Sequence, residues 1–238
     1  MKLDLLVFAA HPDDAELGCS GTIAAHVAAG YACGIIDLTQ GEMGTRGTPQ
    51  LRLNEAKKSS DILGLQLREN LGFADVEFTN DHRHHLEIIK MIRKYQPEVI
   101  IANAIRDRHP DHGKAAELLQ QAFFKSGLSK IVTTDEGVSQ PPYRPKRLYH
   151  FIQNDYIEPN FVMDISAFWQ TKLDSIMAFS SQFYNPESDE PETFISSTAF
   201  LKSIEARAIE FGHRIGVQYG EGFTMTTTPG IKNIFDLV

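Results

Sequence analysis

Short apolar runs alternate with segments of helical periodicity along this chain. Residues 3–10 are almost continuously apolar, which is typical of a central parallel strand covered on both faces. Further strands are predicted at 34–38, 66–70, 98–102 and 147–152, and helices at 18–30, 49–63, 81–96, 113–124, 166–179 and 194–212. Repeated strand–helix units predict an α/β fold with a doubly wound, mostly parallel sheet in the strand order 3-2-1-4-5.

The length and the pattern together predict a single domain spanning residues 1–238. The strand–helix units fill residues 1–125, and a smaller α/β extension follows at 146–238. Between them, residues 126–145 form a polar loop that is too long for a simple connector. This loop is expected to be a lid or an oligomer contact.

Two four-residue motifs, each rich in imidazole and carboxylate groups, follow two of the predicted strands. The sequence His-Pro-Asp-Asp occupies positions 11–14, and His-Pro-Asp-His occupies positions 109–112. In the predicted order these two strands are neighbours at the topological switch point, where ligands bind outside the carboxyl ends of the strands. The fold is therefore expected to bring the two motifs together.

The residues of these motifs can hold a divalent metal ion. A catalytic zinc site usually takes three ligands from His and carboxylate side chains and leaves one position for water. His11 and Asp14 are three residues apart on a tight turn, and His112 from the neighbouring segment can complete the set. One alternative stays open, because Asp14 and Asp111 can also cap the helices that follow without any metal.

This ligand set leaves two groups free for proton transfer. A carboxylate beside metal-activated water can take its proton, and Asp13 is suited to that role. His109 can stabilise an oxyanion or protonate a leaving amine, with Asp111 holding the required tautomer. One shared acid–base group and a separate base and acid are both consistent with the sequence.

Composition and charge exclude several other classes of function. The net charge of −8 argues against nucleic-acid binding, which needs a clustered basic surface. The chain has no run of about 18 apolar residues that would span a membrane. An acid at Asp4 is not typical of a signal peptide, and Cys19 and Cys33 form no CxxC motif. We therefore expect a cytoplasmic protein with reduced cysteines.

The two motifs lie within longer segments, AHPDDAELGCSGT and RDRHPDH, that resemble the zinc-dependent N-acetylglucosamine deacetylases of the LmbE-like or PIG-L family. The similarity continues through 38–47, 51–56, 164–166, 181–183 and 219–223. These later segments are most similar to the bacillithiol-pathway deacetylases that act on N-acetylglucosaminyl-malate. The resemblance implies a Rossmann-like core, one Zn²⁺ per chain with Fe²⁺ possible in cells, and a homo-oligomer, expected to be a hexamer.

The resemblance also implies a role for individual side chains. The zinc ligands correspond to His11, Asp14 and His112, the general base to Asp13, the second histidine and its supporting acid to His109 and Asp111, and the substrate-contacting arginine to Arg52. Related enzymes carry a tyrosine in the late helix where this chain has Phe200. The missing hydroxyl would leave more of the oxyanion stabilisation to His109.

A malate aglycone carries two carboxylates, which arginine can bind in a bidentate manner. The cations near the predicted site are Arg46, Arg52, Arg106, Arg108 and Lys114. Arg52 and Arg108 are the expected substrate contacts, and Glu42 is expected to shape the sugar pocket. Backbone N–H groups of segment 18–21 can also hold an anion at a helix start.

The leading prediction is hydrolysis of the N-acetyl group of an N-acetylglucosaminide, a small-molecule substrate, with release of acetate. Deacetylation of another N-acetylated amino sugar is an alternative. A second alternative is a non-haem iron oxygenase, because two histidines and one carboxylate also form the facial triad that holds iron in those enzymes. A protein that only binds metal is a third. Asp13, which the ligand set does not use, favours hydrolysis.

Overall fold

The structure, a computed structural model, describes residues 1–231 and 233–236. Its strands are β1 (Leu5–Ala9), β2 (Cys33–Thr39), β3 (Leu67–Phe73), β4 (Val99–Ala102), β5 (Thr134–Asp135), β6 (Val138–Ser139), β7 (Arg147–Phe151), β8 (Phe161–Asp164) and β9 (Gly220–Thr224). Its α-helices are α1 (Asp14–Ala28), α2 (Pro49–Leu63), α3 (His82–Tyr95), α4 (Pro110–Ser126), α5 (Trp169–Met177) and α6 (Thr198–Arg214). Short 3-10 helices lie at Ser166–Phe168 and Ile234–Asp236.

The main sheet has the order β3-β2-β1-β4-β7-β9-β8. Its first five strands pair in parallel, which confirms the predicted α/β fold and its 3-2-1-4-5 order. The extension adds β9 antiparallel to β7 and β8 antiparallel to β9. The sequence pattern missed both β8 and β9. Strand β9 contains two glycines and a glutamate, which have low strand propensity.

Strand β1 lies at the centre of the sheet and is buried along its whole length. Leu6 and Phe8 join the apolar cluster formed with α3 and α4 on one face of the sheet. Leu5 and Val7 join a second cluster with α1 on the other face. Because successive side chains of a strand point to opposite faces, a strand covered on both sides has to be apolar throughout.

Two helices begin earlier than the sequence pattern predicted. Helix α1 starts at Asp14 instead of residue 18, and α4 starts at Pro110 instead of residue 113. In α4 the side chain of His109 caps the helix by accepting from the N–H of Asp111, and proline occupies the first turn, where a missing N–H has no cost. Asp14, Asp111 and His112 therefore lie in first helical turns, and the other motif histidines lie in the segments just before them.

Helix α2 has the predicted bounds, which its ends explain. The Thr48 hydroxyl accepts from the N–H of Leu51, and Gly64 ends the helix with a φ of 68° that glycine tolerates.

The loop at 126–145 contains the β5–β6 hairpin, and its start is fixed by Arg93, which donates to the carbonyls of Ser126, Leu128 and Ile131. No helix in the described part of the chain has the length and apolar character needed to cross a membrane.

Candidate metal centre and active site

The two histidine–aspartate motifs meet at the carboxyl ends of β1 and β4, as the strand order predicted. The ring centroid of His109 lies 4.7 Å from that of His11 and 5.2 Å from that of His112. All three rings line one cavity of about 300 Å³. The fold therefore assembles a concave site from residues almost a hundred positions apart.

Asp14 links two of these histidines. Its Oδ2 lies 3.3 Å from Nδ1 of His11, and its Oδ1 lies 3.0 Å from Nε2 of His112. The amides of Asn103 and Gln153 donate to the same carboxylate at 3.1 and 2.7 Å. Burial acts to raise the pKa of Asp14, but His112 and His11 outweigh it and hold the pKa well below its ordinary value. Asp14 is therefore a charged group at the centre of the site.

Each of these histidines uses its second ring nitrogen on another carboxylate. His11 Nε2 lies 2.9 Å from Asp75 Oδ1, and His112 Nδ1 lies 2.7 Å from Asp107 Oδ2. Although burial opposes it, hydrogen bonds to the histidines hold the pKa values of Asp75 and Asp107 below their ordinary value. Metal-binding histidines almost always have such a supporting acceptor, because it fixes the ring and its tautomer.

The donor set of His11, Asp14 and His112 fits a small divalent cation. Tetrahedral ligands with bonds of about 2.1 Å lie roughly 3.4 Å apart. Asp14 approaches that value through both of its oxygens, since Oδ2 lies 3.3 Å from His11 Nδ1 and Oδ1 lies 3.0 Å from His112 Nε2. The Asp14 charge and the hydrogen bonds that His112 donates to Asp107 and Asp14 outweigh burial and raise the pKa of His112 to about 9.

Across residues 1–231 and 233–236, two combinations of three side chains, neither of them the set of His11, Asp14 and His112, offer ligand atoms that all lie within 4.8 Å of one another. One is His11, His109 and His112, and the other is His11, Asp75 and Asp111. Both combinations share His11 with the set above, so they describe the same centre seen with different donors. The centre is thus richer in donors than the sequence indicated.

Asp13 sits beside this centre in a strained conformation. Its φ of 122° and ψ of −22° belong to a region that residues with a side chain rarely adopt. Burial raises the pKa of its carboxyl to about 7, against the lowering effect of the Arg52 guanidinium. Strain and a perturbed pKa in a cleft are both typical of functional residues.

The structure changes the expected role of Arg52. Its guanidinium lines the cavity, but it donates to the carbonyls of Pro12 and Gly41 and lies 3.1 Å from the Asp13 carboxylate. Its buried Nε is the one guanidinium nitrogen without a partner among the described residues. Arg52 therefore fixes the backbone around Asp13, and its unpartnered Nε is itself buried.

The expectation that the Asp111 carboxylate supports His109 is wrong. That carboxylate accepts from the N–H of Val76 and from Lys114 Nζ, both at 2.9 Å, and lies 3.4 Å from His11. His109 is instead held through the Asp111 backbone, whose N–H donates to its Nδ1 at 3.3 Å. The helix start at residue 110 turns the Asp111 side chain away from His109 and leaves only the peptide group in reach.

The state of His109 follows from these contacts. Burial and the neighbouring imidazoles of His11 and His112 lower its pKa, so the ring is neutral at pH 7. Because Nδ1 accepts a hydrogen bond, the ring proton lies on Nε2. His109 can therefore donate one hydrogen bond without carrying a charge.

The other two predicted substrate contacts, Arg108 and Glu42, differ in whether they line the cavity. Arg108 lines the cavity, and its guanidinium lies 4.2 Å from the ring centre of Phe194. Glu42 is not among the lining residues of the cavity, contrary to expectation; its carboxylate accepts from the N–H of Asp75 at 2.8 Å. Glu42 thus holds the loop that carries Asp75 and acts on the pocket only through it.

Sequence reasoning missed the residues that support the centre. Asp75 comes soon after β3 and Asp107 soon after β4, so the rule that ligands bind beyond the carboxyl ends of strands would have identified both. Asn103 directly follows β4 and could have been found in the same way. Gln153 lies two residues beyond β7 and carried no motif of its own.

Comparisons with known proteins show which family this chain is part of. The model of the PIG-L family, GlcNAc-PI de-N-acetylase, matches residues 6–123, which include both motifs. The structure of a conserved protein from Thermus thermophilus is 36% identical, covers 98% of each chain and superposes with a TM-score of 0.86. The chain belongs to the PIG-L family.

The relatives that match this chain do not all share one activity. Diacetylchitobiose deacetylase from Thermococcus kodakarensis is 29% identical over 231 residues, covering 93% of this chain and 81% of that protein. A 4-oxalmesaconate hydratase from Pseudomonas putida is 25% identical over 190 residues, covering 74% and 73%. Family membership therefore has to be combined with the chemistry of the site.

Proposed function

We propose that this protein hydrolyses the N-acetyl group of an N-acetylglucosaminide, using Zn²⁺ held by His11, Asp14 and His112. One observation carries the proposal: Asp14 lies between two imidazoles that each have a supporting carboxylate, and Asp13 lies beside them. The diacetylchitobiose deacetylase among the relatives supports an acetamido sugar as the substrate.

This ligand set is favoured over His11, Asp75 and Asp111 by the charges around each carboxylate. Asp111 already accepts from the Lys114 ammonium at 2.9 Å, which opposes a cation at the same carboxylate. Asp75 accepts from the N–H of Met43 as well as from His11. Apart from the two imidazoles, the groups that donate to Asp14 are neutral backbone and side-chain amides. Its charge is therefore available to a metal ion.

The reaction needs a proton acceptor beside the attacking water. Zn²⁺ held at this centre would polarise the amide carbonyl and lower the pKa of a water molecule. Asp13 would take one proton from that water as its oxygen bonds to the carbonyl carbon. A carboxylate whose pKa is raised to about 7 is matched to this task near neutral pH.

The same groups account for the second half of the reaction. His109 would donate its Nε2 proton as a hydrogen bond to the oxyanion, since its Nδ1 is already occupied. Phe200 lines the cavity without a hydroxyl, so it adds no donor there. The C–N bond then breaks, and the proton held by Asp13 goes to the amine nitrogen, leaving acetate and the free amino sugar.

An anionic aglycone such as malate would need a cation at the cavity that has no carboxylate partner. Arg46 is committed to Ser188 and Glu190, at 2.6 and 3.4 Å. Arg108 stacks on Phe194 and has no carboxylate within ion-pair distance in residues 1–231 and 233–236. An exposed guanidinium of this kind can bind a substrate carboxylate. We therefore propose N-acetylglucosaminyl-malate, the bacillithiol-pathway intermediate, as the natural substrate.

The test is acetate release from N-acetylglucosaminyl-malate compared with a neutral N-acetylglucosaminide and with diacetylchitobiose. We expect the malate conjugate to have the highest kcat/KM. Arg108→Gln should raise KM about tenfold or more for the malate conjugate and leave the neutral substrate unchanged. Arg106→Gln is the matched control, because Arg106 is exposed, lies outside the cavity and donates to the Tyr156 carbonyl.

Asp13→Asn separates catalysis from metal binding. This variant should retain one zinc per chain while turnover falls about 10²- to 10⁴-fold, the usual contribution of a general base. Loss of zinc in Asp13→Asn, or retained zinc stoichiometry in His112→Ala, would refute the ligand set. Hydration of an unsaturated dicarboxylate without acetate release from any acetamido sugar would instead place this chain with the hydratase relative.

A further inference from the structure

Helix α1, which begins with the metal-centre residue Asp14, is broken after its first turn. Cys19 has a φ of −151° and a ψ of 17°, which are not helical values. The break divides α1 into a short first segment and a longer second one. Peptide groups at both sides of such a break lose their helical partners and need others.

A buried lysine from α5 donates hydrogen bonds to carbonyl groups at the end of the first segment. Lys172 Nζ donates to the carbonyl of Glu16 at 3.0 Å and to that of Leu17 at 2.8 Å. A cation at the carboxyl end of a helical segment also interacts favourably with its dipole. The side chain is only 3% exposed, so these contacts are made away from water.

A buried glutamate from β9 accepts hydrogen bonds from groups at the start of the second segment. Glu221 accepts from the N–H of Gly21 at 3.0 Å and from the N–H and hydroxyl of Thr22 at 2.7 and 2.6 Å. The sequence predicted an anion at this helix start, and the structure shows that the anion belongs to the chain itself. Glu221 and Lys172 then pair with each other at 2.7 Å, which closes the bridge across the break.

The bridge is connected to the proposed active site through the first segment. Lys172 binds the Leu17 carbonyl, and the N–H of Leu17 donates to the Asp13 carbonyl at 3.0 Å. Asp14 lies in the same turn. Neither Lys172 nor Glu221 is among the residues that line the cavity. The pair can therefore influence the site only through the backbone between residues 13 and 18.

We propose that Lys172 and Glu221 are positioning residues that hold the first turn of α1, so that Asp13 and Asp14 keep their places at the metal centre. The proposal rests on the proposed function for its kinetic part. Its second part, the affinity of the site for zinc, is independent of which substrate the enzyme uses. If the pair only stabilised the fold, a folded variant without it would keep the native turnover and the native zinc affinity.

The test compares Lys172→Met, Glu221→Gln and the double variant. Removing one charge leaves the other buried without a partner, which destabilises a fold, whereas removing both together is often neutral. We expect the double variant to recover most of the unfolding free energy lost in Lys172→Met. We expect its kcat to stay about 10- to 100-fold below that of the native protein with KM little changed, the cost of misplacing catalytic groups by about an ångström.

Zinc affinity, measured by competition with a chromophoric chelator, should fall about tenfold or more in the same double variant. The surface pair Lys57 and Asp61, at 2.9 Å, gives the matched control Lys57→Met/Asp61→Asn, which should change neither quantity. A folded double variant with native kcat and native zinc affinity would overturn the proposal. If the double variant does not fold, Glu221→Gln, which keeps the size and one acceptor, is judged by the same two measurements.

If the native protein releases no acetate from any acetamido sugar, the proposed function fails. The positioning role is then decided by zinc affinity alone.

Discussion

The strained backbone of Asp13 lowers the unfolding free energy of the protein by an amount that can be measured. Its φ of 122° and ψ of −22° are accessible almost only to glycine. Holding a residue with a side chain in such a region costs about 1–3 kcal/mol. The contacts of Arg52 with Pro12, Gly41 and Asp13 are what keep the segment in this conformation.

The perturbation is a pair of variants, Asp13→Ala and Asp13→Gly. Both remove the carboxylate and its contact with Arg52, so that loss cancels when the two are compared. At an unstrained position alanine is more stable than glycine by about 0.5–1 kcal/mol, because glycine loses more backbone entropy on folding. Subtracting this from a strain of about 2 kcal/mol, the middle of the range, leaves glycine more stable at position 13 by about 1–1.5 kcal/mol.

The assay is urea unfolding of metal-free protein in the presence of a chelator, analysed by linear extrapolation. Asp61, exposed in helix α2, supplies the control pair. There Asp61→Ala should be the more stable variant, so the sign of the difference reverses between the two positions. If Asp13→Ala proves equal to or more stable than Asp13→Gly, the strain inferred from the backbone angles is refuted. Both Asp13 variants should lack turnover, since the proposed base is gone.

Three further outcomes are expected. Asp107→Asn should weaken zinc binding about 10- to 100-fold in chelator competition, because the histidine it supports loses a charged acceptor; unchanged affinity would exclude a supporting role. Gly18→Ala should lower the unfolding free energy by about 1–3 kcal/mol, because an added Cβ would lie 2.3 Å from the Phe151 ring. Gly113→Ala, whose nearest neighbour would be at an ordinary 3.5 Å, is its control. Burial raises the pKa of Cys33 to about 12, and both cysteines are buried, so a disulfide reagent at pH 8 should react with the unfolded chain and not with the native one.

The candidate site was predictable where a local rule applied. The motifs at 11–14 and 109–112 follow strands that neighbour each other at the switch point, so the sequence placed them together. The same rule would have found Asp75 and Asp107, which also lie beyond strand ends. Placing the start of the second helix at residue 113 led to the error at Asp111, because the direction of a side chain in a first helical turn depends on where that turn begins.

The hexamer, the cytoplasmic location and the single-domain organisation remain predictions from the sequence. A native molecular-mass measurement would test the first of them.

By itself, the sequence determined the order of the central strands and the meeting of the two histidine–aspartate motifs. Apolar runs long enough for a buried strand and glycine or capping signals at helix ends are local properties, so they can be read without knowing what packs where. Only the tertiary structure decided which carboxylate supports which imidazole, since His11 finds Asp75 across 64 positions of sequence. It also decided that Glu221 and Lys172 close the break in α1, because burying two charges is tolerated only when folding brings them within hydrogen-bonding distance.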